Sequence, residues 1–186
     1  MDKGAENYAA YLNGDGQGLV RIVDEYKDGL TMYLNGVVRD TYLAEDICMD
    51  TFFRLMVKRP RYDPGQSSFR TWLYGIGRRL AYNAIKRNKR VTYGADEAAE
   101  EQADEYSLEE EYVKSERHAA LYACLGKLPP DERELIWLSY FEDMSVREIS
   151  KITGARENGV AVKLFRIRKK LKKMLEERGF GNENDS

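Results

Sequence analysis

Apolar residues recur at helical spacing through most of the chain, and no stretch of useful length alternates apolar with polar residues. Val20, Val23, Leu30, Leu34 and Val37, with Tyr26 and Tyr33 among them, predict a helix over about 17–38. Ala44, Ile47, Cys48, Thr51, Phe52 and Leu55 form a second stripe. The run RPRYDPGQSS, 59–68, interrupts the pattern with Pro, Gly and Ser and reads as a loop. A third helix is predicted from near Ser68 to about Arg90, burying Leu73, Ile76, Leu80 and Ile85.

After a polar interval the pattern resumes at Ser107, where Ser107 and Glu110 have capping-box spacing. Leu121, Cys124, Leu125 and Leu128 form an apolar face that stops at Pro129–Pro130. Pro130 suits the first turn of a following helix, DERELIWLSYF, because the N–H it lacks would be unpaired there. Ser145 and Glu148 repeat the capping spacing before VREISKITG, with Val146, Ile149 and Ile152 inward and Gly154 as the stop. Beyond the turn ARENG, Val160, Leu164, Ile167 and Leu171 make one stripe. The expected fold is all-α, with two small helical domains joined by an acidic flexible linker. The expected limits are a first domain over 10–93, the linker over 94–106, a second domain with a helix-turn-helix over 107–177, and a disordered tail over 178–186.

Charge sharpens this division. The net charge of −2 conceals two basic zones separated by an acidic one. No acid lies between Asp63 and Asp96, whereas 94–116 holds ten acids and one lysine. The stretch GVAVKLFRIRKKLKK, 159–173, has seven Lys or Arg and no acid. Few large apolar residues occur in 94–106, the composition of a solvated tether. Two distant cysteines and one histidine argue against a disulfide framework and a zinc site, and favour a reducing compartment. No apolar run reaches the length of a membrane span, and the first residues lack the pattern of an export signal. A cytoplasmic protein without membrane insertion is expected. No nucleophile–base set, phosphate-binding glycine loop or metal spacing is present, so no catalytic residue, cofactor or metal is assigned.

The candidate chemistry is nucleic-acid binding. A short capped helix, a tight turn and a basic amphipathic helix have the form of a helix-turn-helix. Its second helix leaves Glu157, Asn158, Ala161, Val162, Lys163, Phe165, Arg166 and Lys170 outside the apolar stripe. In such motifs the helix front reads base edges, and cations further along hold phosphates. A solvated basic face on an ordinary bundle helix is the plainer explanation. In the other basic zone, Phe69, Trp72, Tyr74, Tyr82 and Tyr93 interleave with Arg70, Arg78, Arg79, Lys86, Arg87, Lys89 and Arg90. Aromatic faces stack unpaired bases while cations follow the backbone, a composition suited to melted DNA. Core packing would also account for Trp72 and Phe69. Glu45, Asp46, Met49, Asp50 and Arg54 mark a third surface, on the second helix.

The order of these parts resembles the extracytoplasmic-function (ECF) type of bacterial RNA polymerase sigma factor over about residues 10–176. AEDICMDTF, 44–52, is similar to the helix that docks on the polymerase clamp. FRTWLYGIGRRLAYNAIKRNKR, 69–90, is similar to the segment that melts and reads the −10 element. LGKLPPDERELIWLSYFEDMSVREISKITG resembles the C-terminal domain, and NGVAVKLFRIRKKL stands where the −35-reading helix lies. The resemblance implies a non-enzymatic protein that binds core RNA polymerase and directs promoter recognition, and it allows an anti-sigma partner. It implies core contacts at Asp46, Met49, Asp50 and Phe53. It places Ser67, Ser68, Arg70, Trp72, Arg78, Arg79, Asn83, Lys86, Arg87 and Arg90 at the melted −10 strand. It places Arg156, Glu157, Asn158, Ala161, Val162, Lys163, Arg166 and Lys170 at duplex −35 DNA. The alternative is a helix-turn-helix regulator that binds duplex DNA without polymerase.

The chain departs from the family pattern at several positions. Met49 stands for a usual glutamine, Asn83 for a common aspartate and Arg79 for a common asparagine. Gly159, Ala161 and Val162 replace a frequent Thr, Lys and Ser, and Arg156 sits near the N-cap where Ser would accept a backbone N–H. An atypical −35 preference, or weaker reliance on −35, is expected.

Overall fold

The computed structural model describes residues 2–92 and 116–180. The acidic stretch 94–106, the Ser107–Glu110 box, Tyr93 and residues 181–186 of the tail lie outside the described residues. Among the described residues the fold is all-α, without strands.

The N-terminal unit contains α1 (Lys3–Leu12), α2 (Gly16–Val38), α3 (Thr41–Lys58) and α4 (Phe69–Thr92). The predicted helices do not include α1, yet Tyr8 and Tyr11 are core residues there. The two helices α1 and α2 approach closely because Gly18 lacks a side chain: a Cβ there would lie 2.3 Å from the Asn7 carbonyl oxygen. Asp40 caps α3 by accepting the Leu43 N–H. In α2 the inward residues are Ile22, Leu30, Tyr33, Leu34 and Val37, whereas Val20 is 48% exposed. The expected stripe therefore starts one position out of phase. In α4, Phe69, Leu73, Gly77, Ala81 and Ala84 line the inner face. Ile76, Leu80 and Ile85 are only partly buried, because helices α2 and α3 meet α4 along its small residues.

The C-terminal unit contains α5 (Glu116–Gly126), α6 (Pro130–Ile136), α7 (Val146–Thr153) and α8 (Glu157–Glu176). The helix read as DERELIWLSYF is not uniform. It loosens after Ile136 into a π-helical turn, Trp137–Phe141, in which the Glu142 N–H reaches the Trp137 carbonyl. Ser145 and Glu148 form a reciprocal capping box on α7, and Gly154 ends it at φ 74°. Helix α8 starts at Glu157, within the segment expected as turn.

The two units, expected as separate domains, are docked. One hydrophobic cluster runs through both, and α4 packs on α7 while α2 packs on α6. Trp137 lies flat on α2 at Gly36, where a Cβ would sit 2.2 Å from the indole Nε1. Each unit also terminates a helix of the other. The Arg133 guanidinium donates to the Gly36 and Val37 carbonyls at the end of α2 and to Leu128, and Arg39 donates to Gly126 at the end of α5. Helix C-termini leave carbonyls without intrahelical donors, so a cation there satisfies them and complements the helix dipole.

Candidate nucleic-acid interface

Helix α8 buries Val160, Leu164, Ile167 and Leu171 against α5, α6 and α7. The opposite side carries Asn158, Val162, Phe165, Arg166 and Lys169, all exposed. Val162 and Phe165 keep 51% and 55% of their surface open, an apolar patch on a basic helix. Lys169 sits over the Phe165 ring at 4.8 Å. Arg156 is the N-cap residue and makes no side-chain capping bond. Lys163 and Lys170 point along the flank toward α6, where they pair with Asp131 and Glu132. The Lys163 ammonium, by hydrogen bond and charge, holds the Asp131 carboxyl below the usual carboxylate range, although partial burial opposes it.

Helix α4 presents two polar faces. Ser68 begins the helix, its hydroxyl accepting the Thr71 N–H. On one face Arg79, Asn83 and Lys86 are exposed, with Arg87 beyond them. Trp72 borders this face but packs with Tyr8, Tyr62 and Phe69 at centroid distances of 5.2–5.4 Å. On the other face Arg70, Tyr74, Arg78 and Tyr82 follow one another at intervals of four residues. That face lies under the C-terminal unit. Arg70 pairs with Glu142, which also accepts from the Tyr74 hydroxyl at 2.8 Å. Glu134 accepts from Arg78 Nε at 2.7 Å, Tyr82 at 2.8 Å and Tyr33 at 2.7 Å. Burial, then the adjacent Glu134 carboxylate, pushes the Tyr33 and Tyr82 phenols upward, and burial with Glu142 does the same to Tyr74. A carboxylate removed from water needs such donors, since unpaired burial costs several kcal/mol by order of magnitude.

The outer side of α3 carries Asp46, Met49, Asp50 and Phe53, all exposed, with Met49 59% and Phe53 56% open. Met56 and Val57 extend the patch, and Met32 of α2 joins it across a groove bordered by Lys27, Glu45 and Met49.

Comparison with known proteins fits this arrangement. The family model for sigma-70 region 2 matches residues 22–91, and that for sigma-70 region 4 matches 118–171. The ECF RNA polymerase sigma factor SigW of Bacillus subtilis is 30% identical over 171 residues, covering 87% of this chain and 91% of SigW. The chain belongs to the ECF RNA polymerase sigma factors. The ECF sigma factor BldN of Streptomyces coelicolor is 25% identical over 163 residues, spanning 87% of this chain but 62% of BldN. The fold matches the co-crystal structure of the sigma factor RpoE with the anti-sigma factor NepR from Bartonella quintana. The TM-score is 0.64 at 22% identity, over 84% of this chain and 95% of that one.

In this sigma factor the residues expected at the −10 strand fall into separate settings. Arg70 and Arg78 lie beneath the C-terminal unit, and Arg79, Asn83, Lys86 and Arg87 stand open. Ser67 and Ser68 lie at the loop end, and the Arg90 side chain lies outside the described residues. Of the −35 set, Arg156, Glu157, Asn158, Ala161, Val162 and Arg166 are exposed, while Lys163 and Lys170 are held by α6. Phe165, expected outside the stripe of α8, is exposed there, whereas the exposed Met32, Met56 and Val57 are not among the expected surface residues. Their signal is the helical spacing itself, which puts Met56 and Val57 one and two turns beyond Phe53 and Met49. No helix among the described residues is long and apolar enough to cross a membrane.

Proposed function

We propose that this ECF sigma factor binds core RNA polymerase through the outer side of α3, reads melted −10 DNA with α4 and duplex −35 DNA with α8. The observation that carries it is the apolar–acidic face of α3, on the same chain as two separate cationic helices. A polymerase-independent regulator would need one DNA-reading helix and would leave that exposed face unexplained. The α4 reading is supported by the open row Arg79, Asn83 and Lys86, and the α8 reading by its position after the capped α7. The protein performs no reaction of its own and acts where RNA polymerase acts, in the cytoplasm. An anti-sigma partner belongs to the same proposal: RpoE, whose fold this chain shares, was solved with NepR bound.

Run-off transcription with purified core polymerase on genomic promoter fragments tests the proposal. The chain should co-purify with core and raise initiation at specific start sites. Failure of both sinks the sigma reading. Asp50→Arg should weaken core binding at least about tenfold, or about 1.4 kcal/mol, with unchanged helical circular dichroism. Normal assembly would remove α3 from the docking surface.

A further inference from the structure

Helix α8 carries seven Lys or Arg between Gly159 and Lys173, yet the middle of its outward side is apolar. At about 100° per residue, Val162 falls nearly opposite the buried stripe of Val160, Leu164, Ile167 and Leu171. Asn158 lies one turn before it and Arg166 one turn after, on the same side. Val162 is 51% exposed and Phe165, three residues on, 55%. Both stand outside the hydrophobic cluster of the fold. The nearby ammonium groups are directed elsewhere. Lys163 and Lys170 pair with Asp131 and Glu132 of α6, and Lys169 sits over the Phe165 ring. A single exposed valine is ordinary. One at the centre of a helix face that is read against DNA decides what that face can recognise.

We propose that Val162 reads thymine, its methyl groups packing on the C5-methyl group of one thymine in the −35 duplex. This rests on the reading of α8 given above. A helix about 10–12 Å across fills a major groove about 12 Å wide, so the side chain opposite the buried stripe meets base edges rather than phosphates. On those edges guanine offers two acceptors, cytosine a donor, adenine one of each, and thymine an acceptor beside a methyl group. Valine neither donates nor accepts a hydrogen bond. Against guanine, cytosine or adenine it strips water from polar groups and gives them no partner, which costs free energy. Against thymine it finds the one apolar group that the groove displays. Cations cannot make this choice, because phosphate contacts carry no sequence information. Phe165 widens the dry patch beside Val162, while Asn158 and Arg166 bound it with hydrogen-bonding groups.

Uracil tests this, because it keeps the pairing and the O4 acceptor of thymine and lacks only the methyl group. The full chain with core polymerase is bound to a promoter fragment found by run-off transcription. Uracil replaces each thymine in turn within the upstream segment that this holoenzyme protects. At one position uracil should lower wild-type affinity about fourfold, the equivalent of about 0.8 kcal/mol for one buried methyl group. Val162→Ser should bind the thymine and uracil duplexes equally, and Val162→Ile should keep the preference. Both substitutions lie at an exposed helix position, so helical circular dichroism should not change. Absence of any uracil-sensitive position in the wild type overturns the methyl contact. So does a sensitivity that persists in Val162→Ser, since another residue then carries it. In either case weaker binding of Arg166→Ala to the same fragment keeps α8 at the −35 duplex. If Asn158→Ala and Arg166→Ala also bind like the wild type, or no upstream segment is protected, α8 is not the reading helix and both readings fall.

Discussion

Single side chains join segments far apart in sequence here. Asp2 accepts the Ala5 N–H with one carboxylate oxygen at 3.2 Å and the Phe69 N–H with the other at 2.6 Å. One carboxylate thus closes the N-termini of α1 and α4, where unpaired N–H groups and the helix dipole favour negative charge. Asp2→Ala removes both bonds. Caps of this kind contribute about 1 kcal/mol and a lost hydrogen bond about as much again. A loss of about 1–2 kcal/mol, or roughly 2–8 °C in Tm, is expected in a thermal melt. Asp2→Asn should recover much of it. An unchanged melting temperature for Asp2→Ala would show the bridge to be idle. Tyr8 works similarly, donating its hydroxyl to the Pro60 carbonyl at 2.7 Å, and burial pushes its phenol up to about 12.

At the scale of elements, legibility followed the local period. The Val160, Leu164, Ile167 and Leu171 stripe and the Ser145–Glu148 box are properties of a few adjacent turns, and both stand in the structure as read. The π-helical turn was not legible, because WLSYF carries no signal that distinguishes one extra residue per turn from an ordinary helix. Nor was the fate of Lys163 and Lys170, whose partners Asp131 and Glu132 lie on another helix. Composition counts these lysines with Arg166, but the structure separates them. Arg166→Ala should reduce the magnitude of the salt slope of −35 duplex binding by about 0.9, the loss of one phosphate contact. Lys170→Ala should change it less, since Glu132 already neutralises that ammonium at 2.9 Å. Equal slopes for the two variants in a salt titration would mean that DNA pulls Lys170 away from α6. Asn158→Ala and Val162→Ser should instead alter sequence preference, because both lie at the exposed front of α8.

For the whole molecule, the docking of the two units was the least legible feature, and its reason is physical. Glu134 and Arg78 meet across 56 residues of chain, and no local period encodes such a pair. The sequence does carry the row of Arg70, Tyr74, Arg78 and Tyr82, whose alternation of cations and rings suggests DNA; the carboxylates that meet the two arginines lie in the other unit, beyond the reach of any local pattern. The phenols in this junction make it sensitive to strong alkali. Burial first, and then Glu134 or Glu142, raises Tyr33, Tyr74 and Tyr82 above the ordinary phenol value. A group whose folded value is raised stabilises the folded arrangement below its free value, near 10, and loses that contribution as pH rises through the folded value. The junction should therefore keep these contacts across neutral pH and loosen only above about pH 10. Tyrosinate absorbance measured to high pH should show a late-titrating set in the wild type. In Gly36→Ala, where Trp137 can no longer seat on α2, Tyr82 and Tyr74 lose their carboxylate partners and should titrate closer to 10. An identical tyrosinate curve in wild type and variant would mean that the phenols are held within the N-terminal unit alone, and that the junction contributes nothing to their protonation.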